Sequence, residues 1–236
     1  MKKINTLLAA SVFAATAGVS APVLADLSAN AGFVTDYYYR GINLGDAGFY
    51  AGADYELNGF YAGVWAIDDG GEGGNDGYET DFYAGYGTEI GGVSLSVGYT
   101  RYEYSYTSNS EDEYNLGVGF SGVSFDYADG TRDIEEIDGL DFDAEVDYKF
   151  YSLGWSGEVF GATYGRYDID ETGTDVRYDY VELSASGELN GFDVTATIGK
   201  TRNVTAEIDD VDLADALGLE SGDGYMILDI SKSFDL

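Results

Sequence analysis

The sequence predicts an all-β protein: a transmembrane, antiparallel, up-and-down β-barrel of about 12 strands, with short periplasmic turns and long extracellular loops. Two patterns lead there. Four tetrapeptides share the order hydrophobic, turn residue, glycine, hydrophobic: Leu57-Asn58-Gly59-Phe60, Ile90-Gly91-Gly92-Val93, Phe120-Ser121-Gly122-Val123 and Leu189-Asn190-Gly191-Phe192. Asn-Gly, Gly-Gly and Ser-Gly suit a two-residue hairpin, whose backbone must turn left-handed at little steric cost. Trp155-Ser156-Gly157-Glu158 is a weaker fifth member, and the five recur at intervals of 30 to 35 residues. Between the turns, apolar and polar residues alternate with period two, as in strands with one apolar face.

Composition narrows the function before any site is considered. The 236 residues include 44 Asp and Glu against 11 Lys and Arg, a formal net charge of -33. Such a surface repels phosphate, so no nucleic-acid partner is expected. The absence of His and Cys removes the commonest general base, the thiol nucleophile, the disulfide framework and the usual zinc ligands. The protein is therefore not expected to be an enzyme, and no catalytic residue, cofactor or metal ligand is assigned. Residues 68–77, DDGGEGGNDG, carry the carboxylates and glycines of a calcium loop, but such a segment occurs once and reads as solvated surface, as does Asp209-Asp210-Val211-Asp212.

The elements follow in chain order. Met1-Lys2-Lys3, the apolar stretch from Ile4 to about Val19, and Val23-Leu24-Ala25 make a secretory signal peptide cleaved after Ala25. Residues 1–25 are thus an export address, and residues 26–236 a single outer-membrane barrel domain. The only proline, Pro22, falls in the address, which suits a strand-rich remainder. The first strand candidate sets Leu27, Ala29, Ala31, Phe33, Tyr37 and Tyr39 outward against Ser28, Asn30, Gly32, Asp36 and Arg40 inward. Further candidates centre on residues 49–57, 60–67, 78–90, 93–104, 113–120, 123–128, 140–150, 158–167, 178–189, 192–201 and 225–234. Residues 68–77, 105–112, 129–139, 168–174 and 203–223 become the long connections, the last with a short helix at 212–219. The final strand alternates through Met226, Leu228, Ile230, Phe234 and Leu236, which resembles the signal read by the barrel assembly machinery.

Ser28-Ala29-Asn30-Ala31-Gly32-Phe33-Val34-Thr35-Asp36-Tyr37, then Arg40-Gly41-Ile42, and later Phe60-Tyr61-Ala62-Gly63-Val64-Trp65-Ala66 resemble the TorF-type porins, proteobacterial proteins of the Gcw_chp family. Tyr38-Tyr39 departs from the basic-aromatic pair more usual before the arginine. The resemblance implies an outer-membrane barrel of porin type and brings no substrate and no functional residue.

By parity, the lumen is lined by Asp36, Arg40, Asp54, Glu56, Tyr61, Trp65, Glu79, Asp81, Asp141, Asp143, Glu145, Asp147 and Lys149. Asp141, Asp143, Glu145 and Asp147 would form a ladder with neighbours roughly 7 Å apart. Each pair would repel by about 0.6 kcal/mol in water and about 2.4 kcal/mol at an effective dielectric of 20, which calls for water or bound cations inside. The expected function is a narrow, acidic, cation-preferring diffusion path for ions or small solutes. The alternative is a non-conducting structural or adhesive barrel displaying acidic loops. On the outer face, Arg101, Arg166 and Lys200 reach the level of lipid headgroups. Outer-membrane lipids and lipopolysaccharide of a Gram-negative bacterium are the expected partners. Tyr37, Tyr39, Tyr55, Tyr78 and Tyr86 read as outward, lipid-facing rings.

Overall fold

The computed structural model describes residues 26–68, 77–105, 109–137, 140–171, 174–208, 211–212 and 224–236. The signal-peptide expectation, most of the glycine-rich segment 68–77 and most of the proposed helix at 212–219 lie outside these residues. The strands are β1 (Asp26–Val34), β2 (Tyr37–Tyr39), β3 (Ile42–Gly45), β4 (Gly48–Leu57), β5 (Phe60–Asp68), β6 (Tyr78–Ile90), β7 (Val93–Tyr104) and β8 (Ser110–Phe120). They continue as β9 (Val123–Ile137), β10 (Leu140–Ser156), β11 (Phe160–Glu171), β12 (Thr174–Leu189), β13 (Phe192–Ile208), β14 (Val211–Asp212) and β15 (Gly224–Asp235).

Twelve of these strands form one closed antiparallel wall. It runs β1, β4 to β13 without β14 but otherwise in sequence order, then β15, and β15 pairs back onto β1 from Ser28↔Asp235 to Val34↔Asp229. Closure removes the sheet edges that would otherwise template aggregation. Four of the five turn tetrapeptides fold as anticipated: Asn58-Gly59, Gly91-Gly92, Ser121-Gly122 and Asn190-Gly191 each have positive φ at both residues. That is the twist a type I′ hairpin needs to match its strands. The fifth is a three-residue connection, closed by Gly157 N–H donating to the Phe160 carbonyl at 2.8 Å. All five turns, the start of β1 and the end of β15 lie at one mouth, the turn end. The longer connections lie at the other, the loop end.

Several connections are shorter than the sequence suggested. β9 and β10 run on to Ile137 and from Leu140, and β11 and β12 run on to Glu171 and from Thr174, so two supposed acidic loops are strand extensions. Val211 and Asp212, placed beside or within the proposed helix, pair as strand β14 with Ile208 and Glu207. The wall is consequently uneven, with 9 or 10 residues in β1, β4 and β5 but 15 to 17 in β9, β10, β12 and β13.

The outer surface carries a broad apolar belt. On β8, Phe120, Val118, Leu116 and Tyr114 project outward at every second residue and are exposed, and each neighbouring strand adds a similar row. At the turn-end margin stand Phe60, Phe120, Trp155, Phe160 and Phe192. At the other margin Tyr99 and Tyr114 meet with ring centroids 5.4 Å apart, and Tyr127 and Tyr151 at 5.2 Å. Aromatic rows bounding an apolar band are what a bilayer selects on a barrel, because amphipathic rings settle at its two interfaces. Above the belt the pattern inverts. On β10, Tyr151, Leu153 and Trp155 face out, whereas Tyr148 and Phe150 are buried inside; on β12, Leu183 is outward and Tyr180, Tyr178 and Val176 are buried. The hydrophobic parity flips where the surroundings outside change from apolar to polar.

Candidate functional site: the hairpin-spanned lumen

At Val34 the chain leaves the wall and returns at Gly48, its direct partner in the β1–β4 ladder. The intervening residues fold inward as the β2–β3 hairpin, a separate two-stranded sheet across the lumen. Its turn, Tyr39-Arg40-Gly41-Ile42, has φ of 50° at Arg40 and 82° at Gly41, the same signature as the rim turns. Gly41 is needed at this point: a Cβ there would press into Tyr180, and its carbonyl accepts from the Thr201 hydroxyl.

The hairpin is held from every side. The Arg40 guanidinium makes a bidentate pair with Glu113 at 2.6 and 2.8 Å and lies 4.0 Å from the Phe150 ring centroid. Glu113 is fully buried and also accepts from Tyr148 at 2.9 Å. Tyr39 and Tyr102 share a hydroxyl contact of 2.8 Å, Tyr37 donates to Glu79 at 3.1 Å, and Tyr38 stacks on Tyr225 at 4.0 Å. Two apolar clusters flank it. One contains Tyr148, Tyr167, Tyr178 and Tyr180 in stacked rows; the other joins Val34, Tyr37, Ile67 and Ile227. A bidentate, buried arginine–carboxylate pair with satisfied neighbours fixes orientation, and removing one member leaves the other charged and stranded.

The lumen wall has a repeated construction that pairs tyrosine with glycine. A tyrosine lies flat over a glycine on the adjacent strand and donates its hydroxyl to a carboxylate one strand further on. Tyr83 crosses Gly63 to reach Asp54, Tyr148 crosses Gly130 to reach Glu113, and Tyr225 crosses Gly199 to reach Glu182. A Cβ on any of these three glycines would fall within the tyrosine ring.

The residues named from the sequence separate into groups. Arg40, Asp54, Tyr61, Trp65, Glu79 and Asp81 face the interior. Arg40 sits at the hairpin tip rather than on the wall, and Trp65 packs beside Tyr37 and Tyr50. Asp36 is half-buried in the bend that leads into the hairpin, and Glu56 is exposed at the turn-end mouth. The acidic ladder requires correction. Glu145, Asp147 and Lys149 are exposed on the outer face, while Tyr148 and Phe150 between them point in. The segment lies above the belt, where the interior is aromatic and the exterior polar, so the apolar side of the alternation is the inner one. Asp141 sits at a register shift between Asp141 and Ala144, and the side chains of Asp141 and Asp143 lie outside the described residues. Tyr37 and Tyr39 are likewise inside rather than lipid-facing, because the first strand ends at Val34.

Arg101, Arg166 and Lys200 are on the outer face, just past the belt. Arg101 pairs with Asp112 at 3.0 Å and Glu103 at 2.9 Å, and Arg166 with Asp168 at 3.0 Å. Sequence reasoning missed the lumen acids Glu111 and Glu113, which lay in or beside a supposed loop, and Arg132, which pairs with Glu111. It also missed that Asp81, with no exposed surface, meets no hydrogen-bond donor at either carboxylate oxygen.

Below the hairpin the packing opens into a cavity of about 350 Å³, reaching from Tyr38, Tyr39 and Arg40 to Gly122, Val123 and Ser156 at the turn-end rim. Its sides are small and hydroxylated, including Ser94, Ser124, Ser152, Thr163, Ser184 and Thr195, and the acids Asp126, Glu182 and Asp229 line it from three strands.

A family model described as a bacterial protein of unknown function, Gcw_chp, matches residues 16–234. No curated protein matches the sequence. A membrane-protein chain from a study of in-meso crystallization matches the structure with a TM-score of 0.59 at 6% identity, covering 89% of this chain and 84% of that one. The KdgM porin matches with a TM-score of 0.50 at 11% identity, covering 88% of this chain and 99% of its own. At such identities the likeness speaks to the fold, a closed antiparallel barrel.

Proposed function

The chain belongs to the Gcw_chp family, and we propose that it is an outer-membrane barrel forming a narrow, acidic, cation-preferring path gated by the inward hairpin. The observation that carries this reading is an apolar belt around a lumen whose charged lining is chiefly carboxylate. Asp54, Glu79, Asp81, Glu111, Glu113, Asp126, Glu182 and Asp229 stand against Arg40 and Arg132. Acids facing a confined path raise the local concentration of cations and repel anions. The turn end faces the periplasm, as short turns do in barrels of this kind, and the loop end faces outward. The Lys200 and arginine side chains above the belt then stand at the level of lipopolysaccharide phosphates, with Arg101 and Arg166 already sharing their charge with acids.

A second reading, a non-conducting structural or adhesive barrel, is favoured by one observation. The hairpin and its aromatic flanks fill the waist, with Arg40, Glu113, Tyr102, Tyr148 and Tyr178 buried. Planar-bilayer recording separates the two. The porin reading expects cation-selective reversal across a KCl gradient, with conductance rising at least severalfold when residues 37–45 are replaced by a short Gly-Ser linker. Anion preference rejects the acidic path. Silence in both wild type and the linker variant, each shown folded by a heat-dependent electrophoretic shift, supports the structural reading.

A further inference from the structure

We propose that the cavity beneath the hairpin binds a small organic cation bearing two or more separated ammonium groups. The inference rests on the porin reading only for how the ligand arrives.

The charge of the cavity is one-sided. Asp126, Glu182 and Asp229 line it, and the one cation among its lining residues, Arg40, directs both terminal nitrogens at Glu113. Each acid is tethered from the wall by a hydroxyl: Ser152 to Asp126 at 3.2 Å, Tyr225 to Glu182 at 2.7 Å and Tyr50 to Asp229 at 2.8 Å. A carboxylate has acceptor sites for about four donors, so these hydroxyls leave part of its capacity unused. Asp229 makes this explicit. It is 3% exposed, and its Oδ1 has no donor although Oδ2 takes the Tyr50 hydroxyl. An unpartnered carboxylate oxygen in a buried position is costly unless a donor arrives, and an ammonium supplies up to three.

The geometry selects the kind of cation. The acids stand on β9, β12 and β15, on different sectors of the wall. Among the described residues no group of three or more acidic side chains converges as a metal ion requires. Glu182 and Asp229 pair with Gly199 and Thr195 of the intervening β13, four residues apart along that strand, so they are offset in height as well as around the wall. Separated carboxylates fit separated charges on one flexible chain better than one compact ion. A volume of about 350 Å³ holds a ligand of that size with some water, since a water occupies about 30 Å³ in the liquid. Tyr38, backed by its stack on Tyr225, and Tyr39 and Tyr180 supply aromatic walls at the hairpin end, suited to the methylenes and to cation–π contact.

The test is calorimetric titration of the full-length protein in detergent with 1,4-diaminobutane, with 1,4-butanediol and magnesium chloride as comparators. Saturable binding of the diamine alone is expected, weakened at least ~10-fold by Asp229→Asn combined with Glu182→Gln, as for loss of charge-assisted hydrogen bonds. Asp147→Asn, on the outer face, leaves binding unchanged. Asp126→Asn, on another sector, gives an independent reduction should the double variant fail its heat-shift test for folding. The proposal is overturned by absence of saturable diamine binding, by equal binding of the diol, by equal displacement with magnesium, or by undiminished binding in folded cavity variants. Selective conductance without diamine binding overturns the ligand and leaves the path. Diamine binding without conductance does the reverse.

Discussion

The strands that line the lumen carry different chemistry at their two ends. β7 presents Tyr102 toward the loop end and Ser94 toward the turn end, β10 presents Tyr148 and then Ser152, and β12 presents Tyr178 and then Ser184. The upper half is close-packed: its rings stack on one another and on Arg40, its two inward arginines are paired, as Arg40–Glu113 and Arg132–Glu111, and Asp81 is enclosed among them without a donor. The lower half keeps small side chains and open volume, and there the donorless oxygen, on Asp229, borders that volume. One circular wall therefore serves two purposes. Large side chains grip an inserted hairpin, and small ones with acids leave room for something that is not protein. The difference places stability above the waist and adaptability below it.

The largest effect should come from separating the hairpin from its anchor. Arg40→Ala leaves Glu113 buried with its charge uncompensated, at a cost of about 3–5 kcal/mol. Urea unfolding of the detergent-solubilised protein, followed by intrinsic fluorescence, should register that loss. Asp229→Asn, changing an acid of the lower half that already lacks one donor, should cost less than about 1 kcal/mol. If the two substitutions cost the same, the contrast between the halves is wrong.

Glycines sharpen the comparison. Gly130 lies beneath the Tyr148 ring, so Gly130→Ala forces that ring off Glu113 and disturbs the stack, costing about 1–3 kcal/mol as overpacking does. At Gly187, near the turn end, an added Cβ meets nothing within 4 Å, and φ is not in the left-handed region. Gly187→Ala should be neutral or stabilising by about 0.4–1 kcal/mol, through the reduced freedom of the unfolded chain. The same unfolding assay checks both. An equal loss at the two positions would mean that ring-over-glycine packing is not what fixes the upper wall.

Much of this architecture is legible in the sequence because it is local. The Asn-Gly, Gly-Gly and Ser-Gly turns declare themselves through backbone demands, and alternation marks every wall strand. The inserted hairpin escaped for a physical reason. Tyr39-Arg40-Gly41-Ile42 has the same grammar as the rim turns, yet arginine is an unusual first turn residue, and what holds it there is Glu113, 73 residues away. A long-range ion pair leaves no local trace. The inward and outward assignment failed on β10 for a related cause. Alternation identifies two faces but not which is inside, and the expectation of an apolar exterior holds only within the belt. The signal was present as a slip in phase, from Tyr148 and Phe150 to Tyr151, Leu153 and Trp155, which marks the height of the boundary. Glu79 and Asp81 were legible as inward residues because β6 keeps one phase, but the lack of a donor at Asp81 belongs to the assembled interior and has no local signal.

The smallest expected effect lies outside the barrel, and it tests whether the paired acids and bases above the belt act as the pairs inside do. Arg101 and Asp112 are cross-strand partners 3.0 Å apart, with side chains 39% and 33% exposed, and Tyr99 donates to Asp112 from the belt margin. At that exposure water and salt screen the attraction, and holding two flexible side chains together costs entropy. A double-mutant cycle of Arg101→Gln and Asp112→Asn should therefore give a coupling of about 0–1 kcal/mol, falling as salt is raised. The corresponding cycle of Arg40→Gln and Glu113→Gln should give several times more and respond little to salt, because the pair is shielded from solvent. A large, salt-insensitive coupling at Arg101 would mean that the outer rim is as rigidly assembled as the hairpin anchor. The distinction between a gripping interior and a solvated exterior would then fail.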